Sequence, residues 1–206
     1  YGVLGGDTHQ YYPELVRDNT QVEPEKTPEE GYHVTPDLVE KAIGMIADAK
    51  QIAPDKPFFM YFCTGAGHAP HHVPAEWADA YKGKFDDGWD AYRQRTFERQ
   101  KELGIIPADT ELTERPEVYK AWDSLSDAEK ALYRRQMEVF AGFSENADWN
   151  VGRLLDAVDE MGELDNTIII YIWGDNGASM EGTFTGSFNE TTFFNGVILD
   201  PAEQLE

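Results

Sequence analysis

The sequence is short of cysteine, of basic side chains and of long apolar runs, and each shortage excludes a class of protein. Its 206 residues contain one cysteine, Cys63, so no disulfide bond can form within the chain. This does not settle the compartment, because periplasmic proteins can also lack disulfides. No apolar run approaches the about 20 residues that a membrane-spanning helix requires, and we predict no contact with a membrane.

The balance of charge is strongly acidic. The 39 acidic side chains outnumber the 17 basic ones, which gives a formal net charge of −22. A nucleic-acid-binding surface must neutralise phosphates with lysine and arginine, and anionic lipids also select basic segments. We therefore predict that neither nucleic acid nor a membrane surface is a partner. An anionic small molecule would need a local positive group to oppose this field.

Several segments have helical patterns, and hydrophobic residues make up 41% of the chain, enough for a folded core. Thr35 followed by Pro36 predicts a helix start. A short helix is predicted over residues 75–81. Residues 82–125 are charged and are predicted to form a helical excursion, with a helix over 87–103. A capping box at Ser126 and Glu129 then predicts a long helix that ends near Gly162, and the residues from 180 onward read as loop.

Two apolar runs with β-branched and aromatic residues predict strands that are buried on both faces. They are residues 58–63, which follow Pro57, and residues 167–172. The second run leads to Asp175, Asn176 and a glycine. Their carboxylate and amide oxygens suit Ca²⁺ or Mg²⁺, although such residues also form ordinary turns.

The first run leads into a loop at residues 64–74 that holds three of the five histidines: His68, His71 and His72. Taken alone, such a loop is compatible with a zinc site, with a structural loop, or with binding of an anion or substrate. Pro70 restricts how the imidazoles can converge, and the residue types alone leave the three alternatives open.

The motifs occur in an order that resembles the bacterial arylsulfatases of the alkaline-phosphatase superfamily. The resemblance covers residues 1 to about 196 and rests on Pro-Phe-Phe at 57–59, His-Ala-Pro-His at 68–71, Gly-Glu-Leu-Asp-Asn-Thr at 162–167 and Asp-Asn-Gly-Ala at 175–178. It implies an α/β fold, with a mixed sheet flanked by helices that is incomplete in this chain. Residues 1–206 would be the central part of the catalytic domain.

The resemblance also implies roles for individual residues. Asp175 and Asn176 would bind the active-site calcium, with Mg²⁺ as a possible substitute, and His71 would contact the sulfate group of the substrate. His68 would lie in the substrate pocket or be structural, and His72 would be structural or face solvent. The implied activity is hydrolysis of a small-molecule sulfate ester, in the bacterial cytoplasm or periplasm.

One element of the family pattern is absent. The nucleophile of sulfatases is a formylglycine made from the first residue of Cys/Ser-x-Pro-x-Arg, but Cys63 is followed by Thr-Gly-Ala-Gly and no serine begins such a motif. We therefore expect the formylglycine and the remaining calcium ligands to lie outside this chain, which alone would be inactive. Two alternatives stay open. One is a phosphodiesterase or phosphonate monoester hydrolase of the same superfamily, and the other is a truncated paralogue without catalysis.

Overall fold

The computed structural model describes residues 1–5, 8–174, 186–187 and 190–205. The chain begins with three short strands and continues with helices. The strands are β1 (Gly2–Val3), β2 (Leu15–Arg17) and β3 (Thr20–Val22). The helices are α1 (Val34–Ile52), α2 (Ala75–Asp79), α3 (Gly88–Glu102), α4 (Asp127–Glu160) and α5 (Glu190–Phe194). Single 3₁₀ turns lie at Pro28–Glu30, Trp122–Ser124, Leu164–Asn166 and Glu203–Leu205.

The strands form a small antiparallel sheet in the order β1-β2-β3. Leu15 is opposite Val3 on one side and Val22 on the other, and its side chain is fully buried. It packs with Tyr32 and Val34 in a cluster that joins the sheet to the start of α1. The described part of the chain is thus an α/β structure, consistent with part of a larger domain.

The main core lies between α1 and α4. Its buried members are Val39, Ala42, Ile46, Leu154 and Val158, which are three or four residues apart on each helix and therefore share one face. Burial of each branched side chain stabilises the fold by about 1.5–3 kcal/mol. Within the described residues, no helix is both long and apolar enough to cross a membrane.

The helix boundaries confirm most of the predicted starts. Ser126 and Glu129 form the predicted capping box: the Glu129 amide donates to Ser126 Oγ at 3.2 Å, and the Ser126 amide donates to the Glu129 carboxylate at 2.8 Å. The predicted helix start with Thr35 as N-cap is wrong, because α1 begins at Val34, directly after His33. The His33 imidazole accepts a hydrogen bond from the Thr35 amide and caps the helix.

The prediction that both apolar runs are strands buried on two faces is wrong for the described chain. Both are extended, but neither is paired with a strand among the described residues. In the first run, alternate side chains pack on the α1–α4 core, whereas Phe59 and Tyr61 are 90% and 83% exposed. In the second run, Ile168 and Ile170 are 90% and 80% exposed. A strand is covered on both faces only where neighbouring elements supply both covers. The helices cover one face of the first run, whereas every residue from 168 to 173 in the second is exposed.

Helix α2 crosses α4 at a glycine. A Cβ atom on Gly142 would lie 2.6 Å from backbone atoms of Trp77 and Ala78, closer than such atoms approach. Gly142 therefore allows the two helices to meet backbone to backbone. Gly152, ten positions further along α4, has no atom within 4 Å of the site of a Cβ.

These two glycines form a matched pair for a stability measurement. Gly142→Ala should destabilise the fold by about 1–3 kcal/mol, because the helices must move apart to admit the methyl group. Gly152→Ala should stabilise it by about 0.5–1 kcal/mol, because alanine loses less backbone entropy in a helix. Urea-induced unfolding checks both, and equal effects of the two substitutions would contradict the close crossing.

Candidate functional site

His71 lies in the loop between residue 64 and α2, with its ring against α4. The ring centroid is 5.4 Å from that of Phe140, in an edge-on contact, and 5.9 Å from that of Phe143. Phe143 is fully buried, so its ring is part of a fixed surface. These aromatic contacts restrict the orientation of the imidazole, which is what a group that must meet a substrate in one geometry requires.

Four of the five histidines come together beside this contact. We call His9, His33, His71 and His72 the histidine cluster. The rings of His9 and His72 are 4.2 Å apart, and Tyr11 packs on both His33 and His72 at 5.3 Å and 6.0 Å between ring centroids. Sequence reasoning singled out the loop histidines but missed His9 and His33, because no pattern in the sequence links residues so far apart in the chain.

His33 is buried, and both of its ring nitrogens have partners. Nδ1 accepts a hydrogen bond from the Thr35 amide at 3.3 Å, and Nε2 lies 2.9 Å from the carbonyl oxygen of His72. An amide is always a donor and a carbonyl always an acceptor, so the ring is neutral with its proton on Nε2. Burial lowers the pKa of His33, and the hydrogen bond to the His72 carbonyl acts in the opposite direction.

His72 lies at the centre of the cluster and is half-buried. Burial lowers its pKa to about 4, and the neighbouring charges of His9, His33 and His71 act in the same direction. The ring is therefore neutral near pH 7. Its Nδ1 atom is buried without a hydrogen-bond partner among the described residues.

His68 occupies a different environment from the other loop histidines. Its side chain is exposed, and its Nδ1 atom lies 2.8 Å from the carbonyl oxygen of the next residue, Ala69. The exposure leaves it accessible to a ligand. The predicted place of His68 in a substrate pocket stays a prediction.

Asp175 and Asn176, the predicted metal ligands, lie outside the described residues. The segment that leads to them is described as far as residue 174 and is attached to α4. There the Tyr171 hydroxyl donates a hydrogen bond to Asp148 Oδ1 at 3.0 Å. Burial, followed by the hydrogen bond and charge of Asp148, raises the pKa of Tyr171 to about 12.

The contacts of His71 and of Tyr171 therefore lie on the same helix. Phe143 and Asp148 are five positions apart on α4, which corresponds to about 7.5 Å of helix rise. The histidine loop and the run that precedes Asp175, a hundred residues apart in the sequence, thus contact one helix. In the described ranges, no group of three histidine, cysteine, aspartate or glutamate side chains is placed to hold a metal ion, which gives no support to the zinc alternative for the loop.

The low pKa of His72 predicts that acid destabilises the fold. Between about pH 6.5 and 4 the unfolded chain binds a proton at His72 that the folded chain does not, so stability falls as pH is lowered through this window. The pKa values of His9 and His33 are also lowered and add to the same slope. His72→Gln should reduce the slope of the unfolding free energy against pH, between pH 7 and pH 5, by the equivalent of up to one bound proton. Urea unfolding at a series of pH values measures this slope.

Gln51, an exposed residue of α1 that does not titrate, offers the control for that measurement. Gln51→Ala should leave the pH dependence of unfolding as in wild type, because an amide side chain binds no proton in this pH range. An unchanged slope in His72→Gln would mean that this ring ionises as freely in the folded chain as in the unfolded one.

In comparison with known proteins, residues 1–204 match the model of the sulfatase family. An uncharacterized sulfatase of Schizosaccharomyces pombe is 36% identical over 135 residues, which cover 65% of this chain and 24% of that protein. An arylsulfatase of Klebsiella aerogenes is 33% identical over 126 residues, or 61% and 26% of the two chains. An N-acetylglucosamine-6-O-sulfatase of Bacteroides thetaiotaomicron is 26% identical over 233 residues, or 90% and 39%. The chain thus spans about a quarter to two fifths of these curated relatives.

Proposed function

This chain belongs to the sulfatase family, and we propose that the protein containing it hydrolyses sulfate esters with the help of calcium and a formylglycine nucleophile. In the net reaction water cleaves the ester S–O bond, and the alcohol or phenol and inorganic sulfate are released. The relatives named as an arylsulfatase and as a sugar sulfatase differ in the alcohol but share the sulfate ester, so their names support the bond that is cleaved and leave the alcohol open.

One observation supports this proposal most directly. The loop that carries His71 and the segment that leads to Asp175 and Asn176 both contact α4, through Phe143 and Asp148 respectively. The family resemblance assigns sulfate binding to the first motif and metal binding to the second. The contact of this loop and of the run before Asp175 with one helix supports a shared site.

His71 would bind and orient the sulfate group. An imidazole N–H directed at a sulfate oxygen stabilises the negative charge that shifts as the S–O bond breaks. The contacts with Phe140 and Phe143 hold the ring in place before substrate arrives, so little reorganisation is required in the reaction. His68 would lie at the edge of the same pocket, where its exposed ring can reach a ligand.

Asp175 and Asn176 fit calcium by the chemistry of their oxygen atoms. Ca²⁺ takes about six to eight oxygen ligands, so these two side chains would form part of a site whose other ligands lie outside this chain. Mg²⁺ is the alternative ion. A bound cation would supply positive charge beside the anionic ester, which the net charge of −22 otherwise disfavours. The formylglycine would supply the nucleophile, also from outside this chain.

Substitution of His71 tests its role in the full-length protein. His71→Ala should lower the turnover of an aryl sulfate by about 10²–10³-fold, because a preorganised hydrogen-bond donor to the reacting group is lost. His68→Ala is the matched control from the same loop and should act mainly on KM. Turnover by His71→Ala within a few-fold of wild type would exclude a catalytic role for this histidine.

The same assay separates sulfate from phosphate esters. 4-Nitrophenyl sulfate, bis(4-nitrophenyl) phosphate and a 4-nitrophenyl phosphonate monoester release the same chromophore, so their kcat/KM values compare directly. A preference for the sulfate would support the proposal. A preference for either phosphorus ester would instead support the phosphodiesterase or phosphonate hydrolase alternative, and no hydrolysis of any of them would favour the truncated paralogue.

Calcium binding is tested by thermal unfolding, which does not depend on activity. Calcium at 100 times its Kd should stabilise the full-length protein by about 2.7 kcal/mol, and Asp175→Ala should lose most of that gain. Asp156→Ala, which removes an exposed carboxylate from α4, is the control. The 206-residue chain alone should show little response, since two of about six to eight ligands bind Ca²⁺ weakly. A large response of this chain would contradict an incomplete site.

A further inference from the structure

His33 lies where three parts of the molecule meet. It precedes α1, it contacts the loop that carries His71, and its ring is 6.5 Å from that of Phe143 on α4. On its remaining side, Tyr11 packs edge-on against the imidazole, with 5.3 Å between centroids. Only 5% of the residue is exposed, so the ring has no freedom to take another orientation without disturbing one of these parts.

The two hydrogen bonds of His33 form a bridge. One side of the ring is tied to the first turn of α1 through the Thr35 amide, and the other is tied to the loop through the carbonyl oxygen of His72. That carbonyl belongs to the residue directly after His71. The bridge therefore connects a rigid helix of 19 residues to the backbone beside the proposed sulfate-binding histidine.

Hydrogen bonds inside the loop have a different effect. The His68 amide donates to Gly65 O at 3.2 Å, and the His72 amide donates to Pro70 O at 2.8 Å. Each bond joins residues two or three positions apart. Such bonds determine the local shape of the loop but do not determine where it lies on the helices. The bond from His33 spans 39 positions in the sequence and does bear on that placement.

The residue type supports this function for His33. A helix N-cap is usually Ser, Thr, Asp or Asn, and any of these can accept the bond from the Thr35 amide. Their side chains are too short to reach a second backbone on the far side. An imidazole carries an acceptor and a donor on opposite edges of one rigid ring, so it can cap the helix and hold the loop at the same time.

We propose that His33 is a positioning residue for the sulfate-ester site, which holds the loop in the place where the His71 imidazole meets the sulfate group. It acts through the backbone at His72 and does not touch the substrate. This inference rests on the proposed function and adds to it a residue that lies 38 positions from His71 in the sequence.

Two substitutions in the full-length protein separate the two bonds of His33. In His33→Asn, the side-chain oxygen can take the place of Nδ1 and keep the cap, but nothing reaches the His72 carbonyl. In His33→Gln, the side-chain amide can take the place of Nε2 and keep the bond to the loop, but the cap is weakened. His33→Gln should keep kcat for an aryl sulfate within a few-fold, whereas His33→Asn should lower it by about 10–100-fold through misplacement of His71.

The order of stability should be the opposite. His33→Asn keeps the cap and should have a melting temperature at or above that of His33→Gln, because loss of an N-cap destabilises a helix. If His33 were merely structural, the variant with the lower melting temperature would also have the lower kcat. Turnover by His33→Asn at the wild-type level, or an equal loss of kcat in both variants, would overturn the proposal.

Amide hydrogen exchange tests the same bridge without any activity. His33→Asn should speed exchange in a peptide covering residues 66–75, while a control peptide from α4, residues 150–160, should exchange as in wild type. Unchanged exchange in residues 66–75 would overturn the positioning function. If the wild-type protein hydrolyses no sulfate ester, the proposed function fails, but the exchange measurement still decides whether His33 holds the loop.

Discussion

The packing of α4 against α1 and α2 is the interaction on which the rest of the described structure depends. The main core is buried between α1 and α4, and Phe58 and Phe62 of the first apolar run pack against the same core. On the other side, Gly142 lets α2 approach α4 backbone to backbone, which brings the preceding loop close to the helix. The loop with His71 is thus held between two helices that are themselves fixed by burial of apolar surface.

The long helix also explains how distant parts of the sequence contact one element. α4 has 34 residues, a length of about 51 Å, and it follows the histidine loop and precedes the segment that leads to Asp175. Its residues contact the histidine loop through Phe140 and Phe143 and the run before Asp175 through Asp148. A rigid helix suits the proposed shared site, because groups that cooperate on one ligand need a fixed separation.

Electrostatics constrain the same region. The chain has a net charge of −22, yet the proposed substrate is an anion. Three members of the histidine cluster do not oppose this field by their own charge, since burial lowers the pKa values of His9, His33 and His72, and the neighbouring histidines lower that of His72 further. Neutral rings can pack closely without repulsion and still donate hydrogen bonds in fixed directions. The positive charge that an anionic ester needs would come from the proposed metal ion.

The sequence by itself determined the features that depend on neighbouring residues: the capping box at Ser126, the helical spacing of the α1 and α4 core, and the ordered motifs that indicated the sulfatase family. Only the tertiary structure decided that the first apolar run is covered on one face and the second is exposed, and that His9 and His33 join the loop histidines. It also showed that His33, and not Thr35, caps α1. Periodicity and capping act within a few residues of the chain, whereas burial of a face and the partners of an imidazole are set by elements that only folding brings together.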